Sequence, residues 1–193
     1  MTIQPSQSSQ DKPIQPWKTL SSKMALDEKW FPVRKDTIQL PSGKVLTDFF
    51  VWESPHLVVV VPVTDEGNFI LVEQYRYGIN SIDFQFPAGA ASKKDADSES
   101  AARRELEEET GYVGGTWSHL CKVSLFGHKM TDLEDLYLAQ GVTLDGVRVD
   151  DENEPIRVVS KTPTELREMI SKNEIKSAAS IAAGLLVLDK LGL

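Results

Sequence analysis

Twelve residues, AARRELEEETGY (Ala101–Tyr112), decide how this chain is read. Four glutamates, Glu105, Glu107, Glu108 and Glu109, fall within five positions. The segment reads as the end of a helix, with Gly111 as its stop. A helix C-terminus carries partial negative charge, and carboxylates four residues apart repel by roughly 0.2–0.5 kcal/mol per exposed pair. Acid is therefore crowded where the backbone favours it least. On a wheel at about 100° per residue, Glu105, Glu108 and Glu109 share an arc of roughly 100°, and Glu107 lies opposite. Ala101 and Ala102 sit on the glutamate face and are small enough to let other groups approach. Leu106 and Val113 are the candidate core anchors. A solvated acidic face is the ordinary reading of such a run. It does not explain carboxylates that converge, oppose the helix dipole and follow a glycine-bearing loop. A divalent cation does, because it turns mutual repulsion into shared coordination. The donors are hard oxygens with no Cys or His cluster nearby, so the expected ion is Mg²⁺, with Mn²⁺ as the alternative.

Working outward, Asp97 or Ser98 is placed to cap this helix. Before it, DFQFPAG (Asp83–Gly89) reads as a short strand entering a loop. LVVVVPV (Leu57–Val63) has the continuous apolar character of a strand buried on both faces. The turn DEGN (Asp65–Asn68) joins it to an expected partner strand, FILVEQYR (Phe69–Arg76). DTIQL (Asp36–Leu40) and KVLTDFFVW (Lys44–Trp52) flank the turn PSG and predict a hairpin. After the helix come strand candidates HLCKVSL (His119–Leu125), DLYLAQGV (Asp135–Val142) and IRVVS (Ile156–Ser160). TPTE (Thr162–Glu165) opens a helix to about Ser171, and a last helix is expected from Lys176 to about Lys190. The order predicts a mixed α/β sandwich. Neither G-x-G-x-x-G nor G-x-x-x-x-G-K-[ST] occurs, so a doubly wound nucleotide fold is not expected.

The chain has 193 residues, 40% hydrophobic and 26% charged, with a formal net charge of −8. That balance is globular, and it argues against nucleic acid or an anionic membrane as the main partner. A phosphate-bearing ligand then needs metal ions or local arginines to offset the field. Cys121 is the single cysteine. It permits no internal disulfide or Cys-rich zinc site and fits a reducing cytoplasm. Residues 1–16, rich in Gln, Ser and Pro, are expected to be a mobile tail without a secretory h-region. The longest apolar run is far too short to span a bilayer. The expectation is a soluble, cytoplasmic protein.

Pro87-Ala88-Gly89 followed by AARRELEEETGY resembles the signature of the Nudix hydrolases, G-x5-E-x7-R-E-U-x-E-E-x-G-U, with U aliphatic or aromatic. Arg104, Glu105, Leu106, Glu108, Glu109, Gly111 and Tyr112 match its second half residue by residue. The first half departs. Ala90 and Ala96 stand where the glycine and the first glutamate belong, and Gly89 is one residue early. Asp95, Asp97 and Glu99 all remain open as substitutes for that glutamate. The resemblance implies a Nudix-type α/β/α sandwich with an N-terminal β-rich extension, and Mg²⁺-dependent hydrolysis of a nucleoside diphosphate linked to another group. Looser motifs extend it from about Trp17 to Leu188: the segment from KWFPVRKDTIQLPSGK to ESP, then VPV, ILVEQYR, FPAG and DDENEPIRVVS. These are similar to the ADP-ribose pyrophosphatase branch.

Carried onto this sequence, the resemblance makes Glu105 and Glu109 the main metal ligands. Glu108 becomes a further ligand or a contact to metal-bound water, and a loop carbonyl near Ala88 completes the shell. Arg104 orients the glutamates. A base is expected from the acidic loop DDENEP (150–155), with Glu152 first and Glu154 second. Gln74 and Arg76 are candidates for holding the diphosphate or the terminal ribose. Trp30, with Trp17, Phe31 and Trp52, is a candidate to stack on adenine. The histidines show no ligand spacing and receive no role. Residues 17–54 are expected to join a symmetric homodimer, and residues 55–193 to form the hydrolase domain. The implied substrate is ADP-ribose, cleaved to AMP and ribose 5-phosphate. The alternatives are another nucleotide sugar such as GDP-mannose, a non-catalytic nucleotide-binding module, or an acidic scaffold.

Overall fold

The structure is a computed structural model and describes residues 13–131, 133–149 and 152–193. Most of the tail expected over 1–16 lies outside the described residues, as do Asp150 and Asp151 of the acidic loop. The chain forms two compact units, divided between Glu53 and Ser54.

In the first unit, β1 (Lys18–Leu26), β2 (Val33–Gln39) and β3 (Val45–Trp52) form an antiparallel sheet in that order. The expected hairpin is β2–β3, and its turn places Gly43 at φ 86°, where a side chain is strained. β1 is not announced by its sequence, KTLSSKMAL, whose apolar residues do not alternate cleanly. The buried Asp36 accepts hydrogen bonds from Ser22 Oγ at 2.6 Å and Arg34 Nε at 3.0 Å. Those donors offset the cost of removing its charge from water.

The second unit carries seven strands: β4 (Leu57–Val63), β5 (Phe69–Arg76), β6 (Ser81–Gln85), β7 (Ala88–Ala90), β8 (Val113–Val123), β9 (Glu134–Thr143) and β10 (Ile156–Lys161). The main order is β10-β5-β4-β9-β8, with β6 beside β5 and β7 beside β4. Helices α1 (Ser98–Thr110), α2 (Pro163–Ser171) and α3 (Ala178–Lys190) cover it. Strand β4 shows why its sequence is a run rather than an alternation. Val59, Val61 and Val63 face one core, with Phe86, Leu166 and Val187. Val58 and Val60 face a second core, with Ala101, Ala102 and Leu106 of α1. Helices therefore pack on both faces, and the expected α/β/α sandwich is the one found.

The expected pairing of β4 with β5 is found, but it is short. β4 and β5 pair only at Val63↔Phe69. Beyond that point β5 takes β6 and β10 as neighbours, while β4 takes β7 and, in parallel, β9. The chain crosses between the two halves at Pro87, which cannot donate to a strand ladder. Its carbonyl instead accepts from the Val60 N–H at 3.0 Å. The sheet thus splays, and Pro87 with the start of β7 sits where its halves part.

Both ends of α1 are built locally. Asp97 is the N-cap, accepting from the Ser100 N–H at 2.8 Å, and Gly111 closes the helix at φ 76°. The loop after β9 lies across the C-terminus. The Val149 N–H donates to the Glu108 carbonyl at 2.9 Å and the Gly146 N–H to the Gly111 carbonyl at 3.0 Å. These donors meet carbonyls that a helix end leaves unpaired. Helix α2 has the full capping box of Thr162 and Glu165, and α3 begins behind its cap, Ser177. Among the described residues, no helix is long and apolar enough to cross a membrane.

Leu106 is 1% exposed and holds α1 to β4. Leu106→Ala is expected to lower unfolding free energy by about 2–5 kcal/mol in guanidinium titration. A loss well under 1 kcal/mol would contradict this docking of α1.

Candidate active site

Arg104 organises the acidic face of α1. Its Nε and Nη2 fork onto Asp95 at 3.0 and 3.1 Å. Its Nη1 donates to Glu105 Oε1 at 2.7 Å and to Glu108 Oε2 at 2.9 Å. Its Nη2 also donates to the Ala90 carbonyl at 3.1 Å. A planar guanidinium fixes several oxygens at once, which an ammonium cannot do with the same rigidity. These bonds hold the Asp95 carboxyl well below the usual carboxylate range and raise the Arg104 guanidinium above its ordinary value.

The three acids left open by the sequence separate cleanly. Asp97 caps α1, Glu99 pairs with Arg103, and Asp95 alone reaches Arg104. The signal was present: counting forward from Gly89, rather than back from Arg104, places Asp95 at the glutamate position. The extra residue therefore falls between Asp95 and Arg104.

Glu105 and Glu109 face the start of β7 at Ala88 and Gly89. A Cβ added at Gly89 would land on the Glu105 carboxylate and force it to shift, so the absence of a side chain there allows the close approach. The Ala88 N–H donates to Glu109 Oε2 at 3.3 Å. Burial pushes the Glu105 carboxyl up against the pull of Arg104. Burial and then the charge of Glu105 push Glu109 up to about 8. Glu107 points away, as the wheel predicts, and accepts from the Val147 N–H at 3.3 Å. Among the described residues, no group of three or more His, Cys, Asp or Glu side chains is set around a metal position. The arrangement still fits a hard cation: two converging carboxylates, one driven towards its protonated form, stand beside Gly89, which carries no side chain.

Two adjoining cavities open here. One, of about 420 Å³, is lined by Glu105, Glu108, Glu109, Arg148, Glu152 and Glu154, among others. The other, of about 460 Å³, takes in Arg76, Ala88, Gly89, Glu105, Glu109 and Glu134. The structure thus brings Arg76, Glu152 and Glu154 to the glutamates of α1. Arg76 Nη1 donates to Glu154 Oε1 at 3.1 Å. With its amide oriented to satisfy both atoms, Gln74 donates to the same oxygen at 3.1 Å and accepts from Arg76 Nη2 at 2.6 Å. Trp30 belongs to the N-terminal unit, where it is 79% exposed with Lys29 Nζ 4.1 Å from its ring centre. In the same unit Phe31 stacks on Trp52 at 4.9 Å, and Trp17 meets Phe49 edge-on.

Two features escape sequence reasoning. Glu134 opens β9, is 6% exposed and lines the second cavity. The histidines also have a place. Asp135 accepts from His56 Nε2 at 2.8 Å and His119 Nε2 at 2.6 Å, with Lys122 at 3.3 Å. His119 and Lys122 lie on β8 and His56 just before β4, so the group is assembled only when β9 pairs with both strands.

Comparison with known proteins matches residues 54–180 to the NUDIX domain and residues 17–52 to the nucleoside diphosphate sugar hydrolase N-terminal domain. The chain is 30% identical over 170 residues to the ADP-ribose pyrophosphatase of Bacillus subtilis (strain 168), covering 86% of this chain and 89% of that protein. It is 27% identical over 167 residues to the methanol dehydrogenase activator of Bacillus methanolicus, with the same two coverages of 86% and 89%. A crystal structure of an ADP compounds hydrolase superposes with a TM-score of 0.82 at 22% identity, covering 94% of this chain and 97% of that one. Nudix hydrolases generally use a divalent metal such as Mg²⁺. The helix that carries the signature lies inside a domain match spanning more than half of the sequence, and the chain belongs to the Nudix hydrolase family.

Proposed function

We propose that this chain hydrolyses the pyrophosphate bond of ADP-ribose, giving AMP and ribose 5-phosphate. The observation that carries the proposal is the set of carboxylates held by Arg104, with Glu105 packed against Gly89, in a cleft that Arg76 enters from the other half of the sheet. The substrate class is supported by the B. subtilis relative, which is named for ADP-ribose. Glu105 and Glu109 would hold Mg²⁺ or Mn²⁺, with Glu108 and the Ala88 carbonyl as further oxygen donors. When bound, the cation withdraws charge from the diphosphate and acidifies water. Arg104 keeps Glu105 and Glu108 in fixed orientation, so little reorganisation is needed at the moment of reaction. Arg76 supplies a cation for the diphosphate, and Gln74 fixes the Arg76 guanidinium from the side.

Glu152 accepts the proton of the attacking water as the P–O bond to the leaving phosphate breaks. Glu154 is second in line for that task. Asp95 takes the position of the missing signature glutamate by holding Arg104, which argues against a binding module without turnover. The N-terminal unit is proposed to join a C2 homodimer. Its three-stranded sheet leaves Trp17, Leu20, Met24 and Leu26 exposed, an apolar surface for a partner to cover. The setting proposed is a reducing cytoplasm, with a small-molecule substrate and no nucleic acid.

Three outcomes are expected. Assayed with Mg²⁺ on a panel of nucleoside diphosphate compounds, the protein consumes ADP-ribose with the highest kcat/KM, and Glu152→Gln lowers kcat by about 10²–10⁴. Preference for a nucleotide sugar such as GDP-mannose overturns the substrate assignment, and an unchanged kcat removes Glu152 from its role. Light scattering gives the mass of two chains, and a monomer at assay concentration refutes the dimer.

The third outcome concerns pH. The carboxyl of Glu109 is raised from 4.5 to about 8 on folding, so the metal-free native state binds the extra proton in that window. Its contribution to stability is complete below about 4.5, falls across the window and is lost above about 8. Melting of chelator-treated protein therefore declines from pH 5 to pH 8.5, and Glu109→Gln flattens the decline. An equal slope in the variant would show that Glu109 does not carry the effect.

A further inference from the structure

Arg76 is already engaged by an acid from the loop it would face during turnover. Glu154 accepts from its Nη1 at 3.1 Å, and Gln74 donates to the same carboxylate oxygen. Gln74 is 3% exposed and is itself held by Gln85 Nε2, so it presents a fixed donor. Glu154 and Arg76 are both partly open to solvent, with side-chain exposures of 54% and 37%. The loop acid thus rests on a rigid, buried-side platform of Arg76, Gln74 and Gln85 while remaining accessible to a competitor. Glu154 also lines both cavities beside Glu105 and Glu109. Its charge adds to the set that raises the Glu109 carboxyl, whereas that of Arg76 lowers it.

We infer that Glu154 is an internal competitor for the diphosphate: it occupies the Arg76 guanidinium in the unliganded protein and must leave when a nucleoside diphosphate arrives. The inference rests on the reading of Arg76 as a diphosphate-binding group. A guanidinium satisfied by a carboxylate is a weaker partner for an incoming anion, because the two acids seek the same donors. The ion pair also stops Arg76 from capturing stray small anions, which lack the further contacts needed to displace Glu154. Displacement returns a free carboxylate to the cleft at the moment the substrate is seated. The loop that carries Glu152 is thereby coupled to occupancy of the diphosphate site.

The test is calorimetric titration with ADP in EDTA, so that neither turnover nor cation enters. Glu154→Gln is expected to bind ADP roughly two- to fivefold tighter than the parent, the range set by an exposed ion pair. Glu152→Gln removes the same charge from the same cleft without touching Arg76 and should bring a smaller gain than Glu154→Gln. In an Arg76→Ala background the gain from Glu154→Gln should vanish. No gain in Glu154→Gln, an equal gain in Glu152→Gln, or a gain that survives Arg76→Ala overturns the competition. If Arg76→Ala alone binds ADP like the parent, the diphosphate assignment of Arg76 falls, and the competition with it. If Arg76→Ala weakens ADP but Glu154→Gln brings no gain, the competition alone falls.

Discussion

The grip of Arg104 on its surroundings is the constraint on which the rest depends. Without it, Glu105 and Glu108 repel each other at the wrong end of a helix dipole. With it, their oxygens share one guanidinium, and the same group ties the helix to Asp95 and to the Ala90 carbonyl. One side chain therefore sets helix, loop and carboxylates in a single frame. The remaining conflict with the dipole is eased from the other direction. Backbone amides of Gly146 and Val149 are laid against the carbonyls of the last turn. The loop that leads on to Glu152 and Glu154 is thus anchored on the helix it serves.

The second ingredient is the parting of β4 from β5 after a single residue pair. It gives the cleft two walls of different character. On one, Arg104 collects acids from α1 and its preceding loop. On the other, Arg76 stands at the end of β5 with Gln74 and Glu154 about it. In a chain of net charge −8, both arginines are held by acids, Arg104 by Asp95, Glu105 and Glu108, and Arg76 by Glu154. A strongly acidic protein can in this way present positive groups locally while its overall field stays negative.

How much of this was legible depended on the range of the interaction. The valines of β4 reveal a strand buried twice over because alternate residues answer to separate cores, a local pattern. The glutamate face of α1, its Gly111 stop and the Thr162 capping box are equally local, and all are found. The splay of the sheet was not legible, since DEGN signals a hairpin whether the strands stay together or diverge. Asp95 was obscured by a one-residue shift within the signature, and its reach to Arg104 separates it from Asp97 and Glu99. Glu134 and the bridge of His56 and His119 on Asp135 depend on strands brought side by side by the sheet order, which no spacing along the chain encodes.

Gly89 carries the last consequence. The space its side chain would fill is taken by the carboxylate of Glu105, one helix and one loop further along the chain. A methyl group is the least that any replacement can add, and even that requires the Glu105 carboxylate to move. The two positions are therefore coupled: a substitution at Gly89 displaces an acid of the helix, and a helix with its acid elsewhere would no longer require the glycine. Strand and helix are in this sense one part.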